Sequence, residues 1–195
     1  TGSIVSKVTF GNGSLLETIG YRAFYEGRQH TFTEISLPSS LIEIGEDAFY
    51  NCRSLINVIF EKDDNGNCKI ENIGARAFGW TSNLIQITLP KSIKSLGVLA
   101  FNRCGNLESV TFEEGINITN LEARAFEECR NLSTINFANS MTTISERMFK
   151  YCNALTILNL PTSLKTIGDE AFYNCNQITT IVVPSGVTEI GKGAF

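Results

Sequence analysis

Histidine and tryptophan each occur once in this 195-residue chain, methionine twice and proline four times. Acid–base and nucleophilic catalysis needs a base held beside a reacting group and an orienting partner. The one histidine, His30, stands in an insertion, where an imidazole is ordinarily just a solvated side chain, so no enzymatic activity is expected. The six cysteines include no C-x-x-C pair, and zinc sites are built from such convergent ligands, so no metal and no cofactor are expected. No apolar run reaches the roughly 18 residues that a membrane-spanning helix requires, so this segment inserts in no bilayer as a helix. Sixteen basic residues stand against twenty acidic ones, for a net charge of −4. The basic ones are scattered, whereas phosphate binding concentrates them on one face, so nucleic acid is not an expected partner. Charged residues make up 18% and apolar ones 43%, which is too little charge for disorder and enough apolar surface to fold.

What the chain has in abundance is repetition. Ala-Phe pairs end at Phe24, Phe49, Phe78, Phe101, Phe126, Phe172 and Phe195, with Met148-Phe149 as a variant, and successive phenylalanines lie 25, 29, 23, 25, 23, 23 and 23 residues apart. A fixed period in the twenties marks a solenoid, in which each unit buries its apolar face only by stacking on its neighbours. Aligned on the phenylalanine, the unit reads L-x-x-I-x-L-P-x-S-L-x-x-I-G-x-x-A-F-x-x-C, as in Leu155, Leu158, Leu160, Pro161, Ser163, Leu164, Ile167, Gly168, Ala171, Phe172 and Cys175. The alternating I-x-L predicts one short strand per unit, closed by Pro38, Pro90, Pro161 or Pro184. Stacked at about 4.8 Å, the strands of eight units predict a parallel sheet running the length of the molecule. A second extended piece is expected at x-x-I-G, as in Thr143-Ile144 and Glu189-Ile190. Gly20, Gly45, Gly74, Gly97, Gly168 and Gly191 then read as a sharp bend or a positive-φ turn, with Ser145 and Ala123 as exceptions. Ala, Phe and Cys fall at helical spacing, which predicts a single helical turn. Extra residues after Phe24, between Phe60 and Ile70 and between Phe112 and Ile118 sit in turns, where a solenoid tolerates them.

This pattern resembles the leucine-rich repeat superfamily, specifically its BspA-like class with repeats near 23 residues, over essentially the whole chain. The resemblance implies one α/β solenoid domain over residues 1–195. Such a domain is a right-handed, curved superhelix of about eight repeats, with the parallel sheet on its concave face and short helical turns on its convex side. It also implies an extracellular or cell-surface protein that adheres to a protein or glycan on a host or microbial surface. The chain departs from the pattern at Gly27 and His30, and Thr81 stands in a cysteine position. Starting at Thr1-Gly2-Ser3 and stopping at Phe195 within a repeat, with no polar cap, it reads as a segment of a longer array.

The residues that alternate with the buried strand positions form the candidate partner-binding face. They are Lys7 and Thr9, Glu34 and Ser36, Asn57 and Ile59, Gln86 and Thr88, Ser109 and Thr111, Thr134 and Asn136, Ile157 and Asn159, and Thr180 and Val182. Most are short and polar, a composition that equally suits any exposed strand, and Trp, Tyr and Arg anchors are lacking. A passive spacer that presents another domain is therefore the alternative function. Cys52, Cys104, Cys129, Cys152 and Cys175 each follow the repeat phenylalanine by three residues. They read as a ladder of small buried groups in preference to a disulfide framework, because parallel inward side chains are poorly posed for the bond's near-perpendicular torsion. Cys68 is off the pattern and reads as a more exposed thiol. The run Glu61 to Asn67 has calcium-type oxygens, but Gly66 falls fourth from Asp63 and position twelve is Gly74, so a plain Asn-Gly turn is expected. Trp80 is expected over the vacant cysteine position at Thr81.

Overall fold

The computed structural model describes residues 4–26, 31–119, 121–156 and 158–195; Thr1 to Ser3, Gly27, His30 and Ile157 lie outside them. Among the described residues the strands are β1 (Thr18–Ile19), β2 (Glu34–Leu37), β3 (Glu43–Ile44), β4 (Asn57–Phe60), β5 (Asn72–Ile73), β6 (Gln86–Leu89), β7 (Ser95–Leu96), β8 (Ser109–Phe112), β9 (Thr134–Asn136), β10 (Thr143–Ile144), β11 (Thr166–Ile167) and β12 (Glu189–Ile190). The four-residue I-x-L strands and Thr134–Asn136 pair in parallel in the order β2-β4-β6-β8-β9, so each coil adds one strand beside the last. The two-residue x-I pieces preceding the glycine form their own ladders, β1-β3-β5-β7 and β10-β11-β12. Alternation does what the sequence demands: Ile35, Leu37, Ile87, Leu89, Val110 and Ile135 are buried while their neighbours face outward.

The phenylalanines run in file through the interior. Consecutive rings from Phe24 to Phe195 lie 5.0 to 5.7 Å apart, centroid to centroid, with planes within 11° of parallel. Phe49, Phe78, Phe101, Phe126, Phe149 and Phe172 are fully buried. Each such ring is worth about 1.5–3 kcal/mol of burial, with offset stacking added. Eight rings enclose seven complete coils, so the fold is a parallel β-solenoid of about seven turns and not the eight repeats that the count of Ala-Phe marks suggests.

No helix occurs among the described residues, which corrects the expected helical turn at A-F-x-x-C. The second residue before each phenylalanine and the second after it are left-handed. Arg22 and Glu26, Asp47 and Asn51, Arg76 and Trp80 and their counterparts as far as Asn174 all have φ between 51° and 63°. Backbone hydrogen bonds explain why. Alternate N–H groups close tight turns within the coil, as from Ala48 to Gly45 O and from Tyr50 to Asp47 O. The intervening ones leave the coil for the next: Asp47 donates to Ala75 O at 3.0 Å, Phe49 to Ala77 O at 2.7 Å and Asn51 to Gly79 O at 2.8 Å. An isolated helical turn fixes several dihedrals for one bond, whereas here each N–H from Asp47 to Asn51 finds a partner. Those bonds offset a left-handed cost of about 1–2 kcal/mol per residue.

The glycine column has a different cause from the one expected. None of Gly20, Gly45, Gly74, Gly97, Gly168 and Gly191 has positive φ. Glycine is required because a Cβ at Gly45, Gly74, Gly97 or Gly168 would lie 2.5 to 2.9 Å from backbone atoms of the preceding coil. The hydrogen-bond register also replaces Ala123 by Glu122 in this column: Glu122 N–H donates to Leu96 O at 3.1 Å, as Gly97 N–H does to Ile73 O at 2.8 Å. The side chains of Glu122 and Ser145 fall where ring spacing opens to 5.5 and 5.7 Å, against 5.0 to 5.2 Å over the first three steps. Later steps stay wide, at 5.4 and 5.6 Å, although glycine returns.

Candidate interaction face

Strand pairing turns the outward residues into two rows. Glu34 pairs with Asn57, Asn57 with Gln86, Gln86 with Ser109 and Ser109 with Thr134. In the second row Ser36 pairs with Ile59, Thr88 with Thr111 and Thr111 with Asn136. Lys7, Thr9, Asn159, Thr180 and Val182 are likewise exposed, whereas Ser36, Asn57, Ser109 and Thr111 are half-buried between neighbours. Two shallow depressions mark the first half of this face. One, of about 430 Å³, has Lys7, Thr9, Glu34, Ser36 and Glu61 on its walls; the other, of about 360 Å³, is bounded by Glu34, Asn57, Ile59, Gln86, Thr88 and Glu113.

The rim beyond the strands is braced by charge. Lys62 reaches across the β6 coil to Glu113 at 2.8 Å, and Glu113 also accepts from Lys91 N–H at 3.0 Å. Burial pushes the Glu113 carboxyl up, but these donors outweigh it and hold the group below the usual range. Asp63 spends its carboxylate on the backbone N–H groups of Asn65 and Asn67, at 3.0 and 2.8 Å, and Gly66 takes φ 75°. This is the geometry of a closed Asx-type turn.

Beside the strand face a third row appears that sequence reading missed. Asn106 donates its side-chain amide to Asn83 Oδ1 at 3.1 Å, and Asn131 donates to Asn106 Oδ1 at 3.5 Å, so three exposed amides form a ladder one coil apart. The available signal was asparagine just before the repeat leucine in three successive units.

The cysteine column carries more than apolar bulk. The six cysteines form no disulfide with one another. Cys52, Cys104, Cys129, Cys152 and Cys175 each donate the thiol to the carbonyl of the preceding coil's phenylalanine, at 3.1 to 3.3 Å. Thr81, fully buried, makes the same bond to Phe49 O at 3.0 Å. The column is one of donors, and threonine fills it as a donor. Burial pushes the Cys104 and Cys152 thiols far up and Cys175 to about 12. Cys68 is half-buried, and burial raises it too. The repeat serines form a parallel column, with Ser40, Ser140 and Ser163 donating to Leu16 O, Ile118 O and Met141 O at 2.8, 2.7 and 2.6 Å. Opposite the strand face, Asp47 is buried between Arg22 at 3.1 Å and Arg76 at 2.8 Å, pinning three coils. Burial pushes its carboxyl up, but the two guanidinium groups more than reverse this and hold it below the usual range. Trp80 lies under the Arg103 guanidinium, 4.5 Å from the ring centroid, a cation–π contact that the sequence did not suggest.

Stacked strands, a file of leucine-class and phenylalanine side chains and tight turns on the opposite side define a leucine-rich β-solenoid. Residues 3–68, 17–118 and 71–195 match the BspA type leucine rich repeat region, in six copies, and the chain belongs to that family. Among solved structures it is similar to the pneumococcal vaccine antigen PcpA, at 28% identity and TM-score 0.62, over 99% of this chain and 54% of that one. A leucine-rich repeat protein from Bacteroides ovatus is similar at 27% identity and TM-score 0.68, over 96% of this chain and 53% of its own. A leucine-rich cell surface protein from Faecalibacterium prausnitzii gives 26% identity and TM-score 0.63, over 98% and 65%. The chain thus spans about half the length of the first two and under two thirds of the third. No curated protein sequence is similar enough to count as a relative.

Proposed function

We propose that this chain is a non-enzymatic recognition module of an extracellular or cell-surface protein. It takes a protein or glycan partner on the strand face, which is concave in the leucine-rich repeat architecture. The observation that carries this reading is the in-register row of outward side chains from Glu34 to Thr134, flanked by a second row that pairs Ser36 with Ile59, Thr88 with Thr111 and Thr111 with Asn136. A surface that repeats one hydrogen-bonding unit per coil accumulates affinity from many weak contacts and needs no single anchor. Likeness to a vaccine antigen and to a cell surface protein supports the location. The spacer reading draws on one feature, the lack of outward Trp, Tyr or Arg on this face.

The test is direct binding of purified surface proteins and glycans to the chain and to its Glu34→Ala/Thr88→Ala/Thr111→Ala variant. A recognition module shows saturable binding that weakens at least about tenfold in the variant while its thermal melt stays put. Absence of saturable binding across the panel, or binding untouched by the triple change, favours the spacer.

A further inference from the structure

Resting on the strand-face reading above, we infer that the partner is a linear, uncharged polysaccharide laid across the strands, with about one sugar seated per coil. Three observations converge. First, of the outward strand residues only Lys7 and Glu34 are charged. Every described one from Asn57 through Thr180 is a hydroxyl, an amide or an aliphatic group. A polyanion or a strongly charged protein surface would find no ion pair on these rows, and the rim charges Lys62 and Glu113 are already spent on each other, whereas hydroxyl-bearing rings meet a donor or acceptor at each of these strands. Second, the face is periodic. Its rows advance one strand spacing of about 4.8 Å per coil, close to the length of one pyranose residue in an extended chain. A ligand that repeats matches a surface that repeats, while a protein surface, which has no such period, would satisfy only a few of the rungs. Third, the amides of Asn83, Asn106 and Asn131 are already linked to one another at 3.1 and 3.5 Å. They form a row held in place before any ligand arrives, so little side-chain freedom is lost on binding.

The experiment is calorimetric titration of the intact chain with cello-, manno- and chito-oligosaccharides of increasing length, and with heparin as the charged probe. Affinity for at least one uncharged series should climb by roughly three- to tenfold per added sugar, one net hydrogen bond's worth, until the five-stranded sheet is spanned, and then level off. It should stay unchanged when salt is raised about tenfold. Asn106→Ala and Asn136→Ala should weaken it several-fold, and Lys192→Ala, at an exposed residue in the turn after Gly191 and outside the strand rows, should not. Several results overturn the inference: no length dependence in any series, preference for heparin with a steep salt dependence, or a protein that binds through Thr88 and Thr111 while no oligosaccharide does. The last leaves the recognition reading standing; indifference of every probe to the strand-face variants removes both.

Discussion

Replacing Gly97 with alanine tests the close stacking of coils directly. The new methyl would lie 2.5 Å from Ala75 N, 2.7 Å from Gly74 C and 2.9 Å from Ala75 Cα. All three are backbone atoms, so no flexible side chain can swing aside. Relief requires the two coils to part, which lengthens the 2.8 Å bond from Gly97 N–H to Ile73 O and opens the 5.2 Å stack of Phe78 on Phe101. Overpacking costs about 1–3 kcal/mol, and with backbone as the obstacle the expected loss is at the top of that range, about 3 kcal/mol. For a chain of this size that corresponds to a fall in Tm of roughly 6–12 °C. Gly20 supplies the control, since it occupies the same column at the first coil and a Cβ there meets nothing within 4 Å. Gly20→Ala should be neutral, or stabilising by about 0.4–1 kcal/mol through the unfolded chain. Thermal melts followed by circular dichroism compare the two. Equal shifts, or a neutral Gly97→Ala, would refute contact between coils as the reason for glycine.

Two further outcomes follow from the donor column. Thr81→Cys should change stability by less than about 1 kcal/mol, whereas the isosteric Thr81→Val should lose about 1 kcal/mol with the hydroxyl; urea titrations decide, and a stabilised valine variant would show that the column wants only apolar bulk. The raised thiol of Cys175 sets a pH dependence. A group whose folded value lies above its unfolded value, ordinarily about 8.5, gives stability that is complete below the unfolded value and is lost as pH rises toward about 12. Melts from pH 8 to 11 should therefore decline, and Cys175→Ala, though less stable at pH 8, should decline less steeply; parallel declines would remove the thiol as the cause.

The frame of this fold was legible because its period survives every insertion: the phenylalanines fall in one file and the outward residues pair across strands as alternation requires. The turn after the glycine was misread because Ala, Phe and Cys at positions i, i+1 and i+4 fit a helix equally well. What decides between the two is where Asp47, Phe49 and Asn51 send their N–H groups, and those partners lie in the next coil, some 28 residues away. Glycine was legible as a need and not as a cause, since a close approach between coils leaves no local trace. Ala123 was placed one residue off: the glycines stand four residues before the phenylalanine, which is Glu122 before Phe126, and the bond from Glu122 to Leu96 confirms that register. The thiol donors had one visible clue, Thr81, whose hydroxyl shares hydrogen-bonding ability and not hydrophobicity with the cysteines it stands among. The outward strand positions from Glu34 to Asn136 followed from the period alone, whereas Lys7, Thr9, Asn159, Thr180 and Val182 lie outside the five strands and the linked amides of Asn83, Asn106 and Asn131 lay outside the I-x-L frame.

Every junction between coils is stitched in both senses. Main-chain N–H groups such as that of Phe101 reach toward the C-terminal neighbour, while Cys104 and Ser163 reach back toward the N-terminal one. Tension applied end to end is therefore shared at each junction among several short bonds acting side by side. The molecule should behave as a stiff rope that yields one junction at a time and re-forms behind the break when the load is released.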